Sequence, residues 1–530
     1  MSKRRQHFSP DEPLRHPDHR RPMTRREFIA QGFLAGAGTV LAPSILGLLG
    51  NPRVARAAAE LSPDIDDLAT NLCGLSAGGG GRIPFICFDL AGGANIAGSN
   101  VLVGGAGGQM DFLQTAGYNK LGVPGDIVPG VITNGSENFD TSFGLAFHSD
   151  SAFFRGIQER AAAAAANTHG AVIPARSEND TGNNPHNPMY AIHAVGGADG
   201  ELATLIGSQS SVSGGNSMAP AMTVDPSVRP TKVDRPSDVT GLVDTGDLAT
   251  LLGHDDSVKV MEAIERISYD RVQQVKTALS TDTGRQAVVE KLLQCGYVKT
   301  AYLVNRYGEP SALDPEQDPD ITAIFSAQEL NDREFRKTAS VMKMVVNGDA
   351  GAGTITMGGF DYHTGDRSTG ELRDLRAGRC IGACLEYARR VGTPLMIYVF
   401  SDGSVFSNGM VDDSTDGRGK GVWTGDNQQT AASFMLVYNP GGRPAPNPYF
   451  GLTGTDGGPQ IGYFTADGSV QTSSSPAANN VNLLVQMVVL NYLALHGEQG
   501  QFMNKWQSTY ASAAGLGSDL DKLIAFQAVR

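Results

Sequence analysis

The chain has 530 residues, 40% of them hydrophobic and 18% charged, with 55 acidic and 42 basic side chains and a net charge of −13. That length allows one large or two to three ordinary domains with ample core, and the acidic balance argues against nucleic acid or an anionic membrane as partner. Five cysteines, an odd and sparse set, do not read as a disulfide framework. Sixty-six glycines predict a loop-rich protein.

Residues 1–57 stand apart from the fold. A basic stretch leads to Arg25-Arg26, then to a small-residue apolar run from Phe33 to Leu49, then to Ala55-Arg56-Ala57. A twin arginine ahead of a mildly apolar segment and an A-x-A site is a twin-arginine (Tat) export signal. It predicts the Tat translocase as a partner during export, cleavage near residue 57, and a periplasmic or secreted product with no stable membrane span. A membrane anchor is the alternative, and the run is at the short end for one.

Residues 58–82 read as a linker with four successive glycines. Ile83–Leu90 is then a nearly continuous apolar run, as expected of a strand buried on both faces of a parallel sheet. The Gly-rich loop after it lacks the endings of a phosphate-cradling loop and the spacing of a dinucleotide fingerprint. A helix is expected around 145–165, a strand at 170–173, and a polar loop over 176–188. Apolar spacing predicts helices at 258–279 and 285–306, an antiparallel pair covering a sheet, and a further one over 326–345. Strand 353–357, helix 368–391 and strand 394–400 form a β-α-β unit. A Gly/Asp-rich loop over 403–427, a strand at 433–438 and a core helix at 479–496 complete the chain. The expected fold is a mostly parallel α/β sheet sandwiched by helices, residues 83–530 forming one domain with loop insertions.

Three of these strands end in an acid: Asp89, Asp361 within Gly358-Gly359-Phe360-Asp361-Tyr362-His363, and Asp402. Ligands bind at the carboxyl ends of the strands in open parallel sheets, where converging carboxylates repel unless a cation or shared protons hold them. Asp361 and His363 offer one oxygen and one nitrogen ligand, a pairing that suits a divalent metal: zinc, manganese, magnesium or calcium. A hydrogen-bonded Asp–His pair in a loop is the plain alternative. The 176–188 loop gathers Ser177, Thr181 and His186 as candidate catalytic groups, with Ser99 a further hydroxyl. Its Asn, Asp and Ser content otherwise means turns.

The order F-D-L-x-G-G-A-N, L-x-F-H, the Ser/Asn/His loop, G-G-F-D-x-H and S-D-x-x-x-x-x-N-G resembles a bacterial family of Tat-exported proteins. That family is related in fold to alkaline phosphatases and sulfatases, and some members are labelled general secretion pathway proteins. The resemblance spans roughly residues 83–440 and implies an alkaline-phosphatase-like fold with a metal-dependent site for small anionic phosphate or sulfate esters. It gives Asp89, Asp361, His363, Asp402 and Asp426 as metal ligands and places His186 in the Ser-x-Ser-His loop. The chain departs from the pattern at Asn95, where relatives have Asp, and at Asn427, where a metal His is replaced. The family's Arg after its Glu-Phe-Gly segment is missing. Two readings follow: an exported metal-dependent ester hydrolase, or a non-catalytic envelope or secretion-associated binding protein on the same scaffold.

Overall fold

A computed structural model describes residues 61–73, 81–177, 184–197, 200–243, 252–274, 283–308, 310–365, 367–448 and 459–530. The segment read as an export signal and Thr181 lie outside the described residues. The described residues divide into two compact units, one from within 61–73 and 252–306, the other from within 81–243 and 307–530.

The larger unit is built on a seven-stranded sheet. In chain order its strands are β1 (Phe85–Leu90), β2 (Thr168–Pro174), β3 (Ala203–Gly207), β4 (Thr231–Lys232), β5 (Ala350–Met357), β6 (Leu395–Phe400) and β9 (Ala432–Tyr438). A separate hairpin, β7 (Val405–Asp412) and β8 (Lys420–Asp426), occupies much of what the sequence reads as loop. The spatial order is β2-β9-β6-β1-β5-β3-β4. β1 pairs in parallel with β5 and β6, and β5 with β3, whereas β9 runs antiparallel between β6 and β2. The mostly parallel α/β sheet is therefore present. All six residues of β1 and of β6 are buried, which explains why both read as unbroken apolar runs rather than alternating ones.

Helices of this unit cover both faces of the sheet. The main ones are α1 (Ala152–Ala161), α2 (Met189–Ala194), α5 (Arg333–Val346), α6 (Ser368–Val391) and α7 (Val481–Ala494), while α3 (His254–Gln274) and α4 (Thr283–Tyr307) belong to the smaller unit. α7 is buried almost all round and packs with α2 against Phe85, Cys87, Met396, Tyr398 and Met435. α1 and α6 approach so closely that a Cβ at Gly382 would lie 2.8 Å from the Ile157 carbonyl oxygen. The predicted helix at 145–165 begins only at Ala152, because Ser151 caps it by accepting the Phe154 N–H, while Phe147-His148 bridges Phe139-Asp140. α5 starts where Asp332 accepts the N–H groups of Glu334 and Phe335.

The smaller unit corrects two sequence expectations. Part of the predicted linker is helical, as Pro63–Asp67 continues through a π-helical turn at Leu68–Leu72. It is held to α3 by Arg266, which donates to Asp64 at 2.8 Å. The cysteines, read as outside any disulfide framework, include one bridge, Cys73–Cys295, while Cys87, Cys380 and Cys384 are free and buried. Cys73 caps the end of the π-helical turn and Cys295 lies within α4, and no local spacing encodes their approach.

Candidate site at the carboxyl ends of the strands

The Gly358–His363 segment leaves β5 with alternating sides. Phe360 and Tyr362 are buried, whereas the Asp361 side chain is 64% exposed and that of His363 28% exposed. The buried pair anchors the loop. The Phe360 N–H donates to the Ala91 carbonyl beyond β1, and the Tyr362 hydroxyl donates to Asp374 (3.0 Å) while accepting the Asn95 N–H (2.7 Å). Gly92, at φ +123°, lies so close that a Cβ there would come 2.5 Å from the Asp361 nitrogen. The sharp turn after β1 is thus what lets the β5 loop seat itself.

Three of the expected residues meet. His363 Nδ1 lies 2.5 Å from Asp361 Oδ1 and 3.0 Å from Asp426 Oδ1, the latter delivered by the end of β8. The Nδ1 atom is buried yet makes no aligned hydrogen bond. The Gly365 N–H donates to the Trp423 carbonyl, which ties the β5 loop to the hairpin.

Asp89 and Asp402 do something else. Asp89 is fully buried, and its carboxylate accepts the N–H groups of Asn216 (2.7 Å) and Ser217 (2.9 Å) and the hydroxyls of Ser217 and Thr356. Burial, with the neighbouring Asp402 charge, pushes its pKa up to about 6. Asp402, also buried, accepts the Gly92 N–H at 2.8 Å, and the Asn216 amide reaches its other oxygen at 3.4 Å. Asn216 therefore bridges the two acids, and both fasten loops. As the expected ligand set of five, these residues are not gathered at one point. Among the described residues, no group of three or more His, Cys, Asp or Glu side chains is arranged to hold a metal ion.

The donor types at Asp361, His363 and Asp426 do fit a divalent cation, and the orphaned Nδ1 between two carboxylates is the observation in favour. Ligand atoms on one tetrahedral zinc, each about 2.0–2.1 Å from it, stand roughly 3.3 Å apart. His363 Nδ1 is nearer than that to both carboxylates, and each would need to withdraw from it by less than about 1 Å, at well-exposed side chains.

The candidate catalytic groups are dispersed. Ser99 is fully buried and accepts from Arg367 at 2.9 Å, which removes it as a nucleophile. Ser177 is buried and its hydroxyl has no hydrogen-bond partner among the described residues. His186 is buried and stacks on Phe400 at 5.8 Å, with both ring nitrogens unpartnered among the described residues. Burial lowers its pKa to about 3, so the ring is neutral. Asn427, where the resemblance implies the loss of a metal His, has its side chain turned to cap the next turn by accepting the Gln429 N–H.

Beneath the loop lies a charged cluster that sequence reading missed. Glu371 accepts from Arg367 (2.7 Å), Lys420 (2.9 Å) and Arg155 (3.1 Å), and Arg367 stacks on Trp423 at 4.5 Å. Asp374 beside it is pushed up to about 7 by burial and by the Glu371 charge. A raised carboxyl pKa favours the folded state at low pH, so this contribution is full below the unfolded value near 4 and is lost as pH rises through 7. We expect the stability deficit of Asp374→Asn relative to the parent to shrink from pH 5 to pH 8 in thermal unfolding. A deficit that stays constant or grows with pH would contradict the assignment.

Comparison with protein-family models, with curated proteins and with solved structures returned no match. The functional reading therefore rests on the residues themselves.

Proposed function

We propose that the chain is an exported α/β protein that holds a divalent cation at Asp361, His363 and Asp426 and binds small anionic phosphate or sulfate esters beside it, on an alkaline-phosphatase-like scaffold. The carrying observation is the buried, unaligned His363 Nδ1 between two carboxylate oxygens at the carboxyl edge of a parallel sheet. Zinc and manganese suit one imidazole and two carboxylates better than magnesium or calcium, which prefer all-oxygen sets. A bound cation would supply Lewis acidity toward a phosphoryl or sulfuryl oxygen. Binding is the primary reading, since Asp89 and Asp402 spend their oxygens on loop donors and Ser99 is engaged by Arg367.

Export through the Tat translocase to the periplasm or beyond agrees with the Cys73–Cys295 bridge, because disulfides persist in oxidising compartments. Among the described residues no helix is long and apolar enough to cross a membrane.

Equilibrium dialysis of the mature protein against zinc or manganese tests the cation reading. The expected result is about one ion per chain, lost in the Asp361→Ala/His363→Ala double variant, as for a site with one cation and three side-chain ligands. No bound ion in the parent, or full binding in the double variant, sinks it. Turnover of aryl phosphate or sulfate esters that disappears in Asp361→Ala would instead establish the hydrolase reading.

A further inference from the structure

We infer that Arg373 recognises the anion at this strand edge, reading a tetrahedral oxyanion held beside the Asp361–His363–Asp426 trio. The inference rests on the cation reading above and adds to it the residue that selects the ligand's charge and shape. Arg373 stands in the second turn of α6, whose N-terminus follows the Gly358–His363 loop. Its guanidinium lies against the open face of Gly359. A Cβ at that position would collide with Nη1 and come 2.6 Å from Cζ, and Gly359 has φ +88°. The second glycine of the motif thus serves two needs, a left-handed turn and room for a guanidinium. Beside it, Gly358 is exposed and a Cβ there would meet nothing within 4 Å, so the approach is open.

The other arginines on and next to this helix have acids. Arg367 pairs with Glu371, Arg376 with Asp332, Arg379 with Glu159, and Arg389 and Arg390 with Glu386. Arg373 is half-buried and makes no hydrogen bond or ion pair among the described residues. In a chain with 13 more acids than bases, a partly desolvated guanidinium held over a glycine at a strand end is placed for an anion from outside. Guanidinium engages two oxygens of an oxyanion in a planar fork. A ligand that also reaches a neighbouring cation needs a further oxygen, which a phosphate or sulfate group has and a carboxylate lacks.

Isothermal titration of the mature protein with phenyl phosphate, phenyl sulfate and benzoate, with and without manganese, tests this. Arg373→Met should weaken phenyl phosphate or phenyl sulfate by about 10- to 100-fold, the range of a charged hydrogen bond, with manganese stoichiometry unchanged. Arg373→Lys should fall between, since it keeps the charge and loses the fork, and it carries the comparison if the Met variant does not fold. Unaltered affinity in both variants, benzoate binding as tight as the phenyl esters, or a parent that binds neither ester overturns the inference. If the parent takes up no manganese but ester affinity still depends on Arg373, the cation reading fails and this assignment stands. If manganese binds and both variants match the parent, this assignment alone fails.

Discussion

Replacing Glu371 with Gln is expected to destabilise the larger unit by about 3–5 kcal/mol, the range for removing one member of a buried ion cluster. Glu371 is 3% exposed and is the common acceptor for Arg367, Lys420 and Arg155, of which Arg367 and Lys420 are themselves buried. Burial alone would raise its pKa, but the Lys420 and Arg367 charges hold its carboxyl below the usual range. A neutral amide keeps the shape and deletes the charge that two buried cations need. Lys420 retains Asp150 at 3.4 Å, whereas among the described residues Arg367 keeps Ser99, the Gly421 carbonyl and the Trp423 face. The consequence reaches the site, since Asp374, beside Glu371, accepts the hydroxyl of Tyr362, the residue between Asp361 and His363 in the chain. Urea unfolding of the variant checks this, and a midpoint equal to the parent's would show that the cluster is not stabilising as a unit.

Reduction of the Cys73–Cys295 bridge is expected to have a comparable effect on the smaller unit. The two cysteines are 222 residues apart, and constraining a loop of that size in the unfolded chain corresponds to about 5 kcal/mol in the chain-entropy model. Without the bridge, the short helical stretch at 63–72 keeps few other anchors, chiefly Arg266 to Asp64 and the Ser62 N–H to Glu262. Thiol titration of the denatured protein should count three thiols before reduction and five after. Thermal unfolding with reductant, or of a Cys73→Ser/Cys295→Ser variant, should show an earlier transition from α3 and α4. Five thiols in unreduced protein would refute the bridge, and an unmoved transition would refute its contribution.

The elements that sequence reading found are those whose signal is local. β1 and β6 are buried on both faces and so show as unbroken apolar runs, and α6 ends at Gly392, whose φ of +67° suits the glycine that marks it. The elements it missed carry weak or short signals. β3 spans five residues and β4 two, and β7–β8 is a hairpin with irregular register whose exposed β7 residues blur the alternation. At the site, the D-x-H pair was legible because two glycines and a strand end flank it. Asp426 came only through a resemblance. Asn216 and Arg373 had no signal of their own, as neither lies in a pattern that distinguishes it from an ordinary loop or helix residue.

By itself the sequence determined that a parallel, doubly covered sheet would form and that acids would punctuate its strand ends, because burial and turn geometry are written in neighbouring residues. Which of those acids are open to a ligand was decided by tertiary structure. Asn216, which donates to both Asp89 and Asp402, lies 127 and 186 residues from them, and the bridge partner of Cys73 lies 222 residues along the chain. Asp361 and Asp426, by contrast, keep well-exposed side chains on either side of His363. Such pairings are fixed by the packing of whole elements, and no local spacing encodes them.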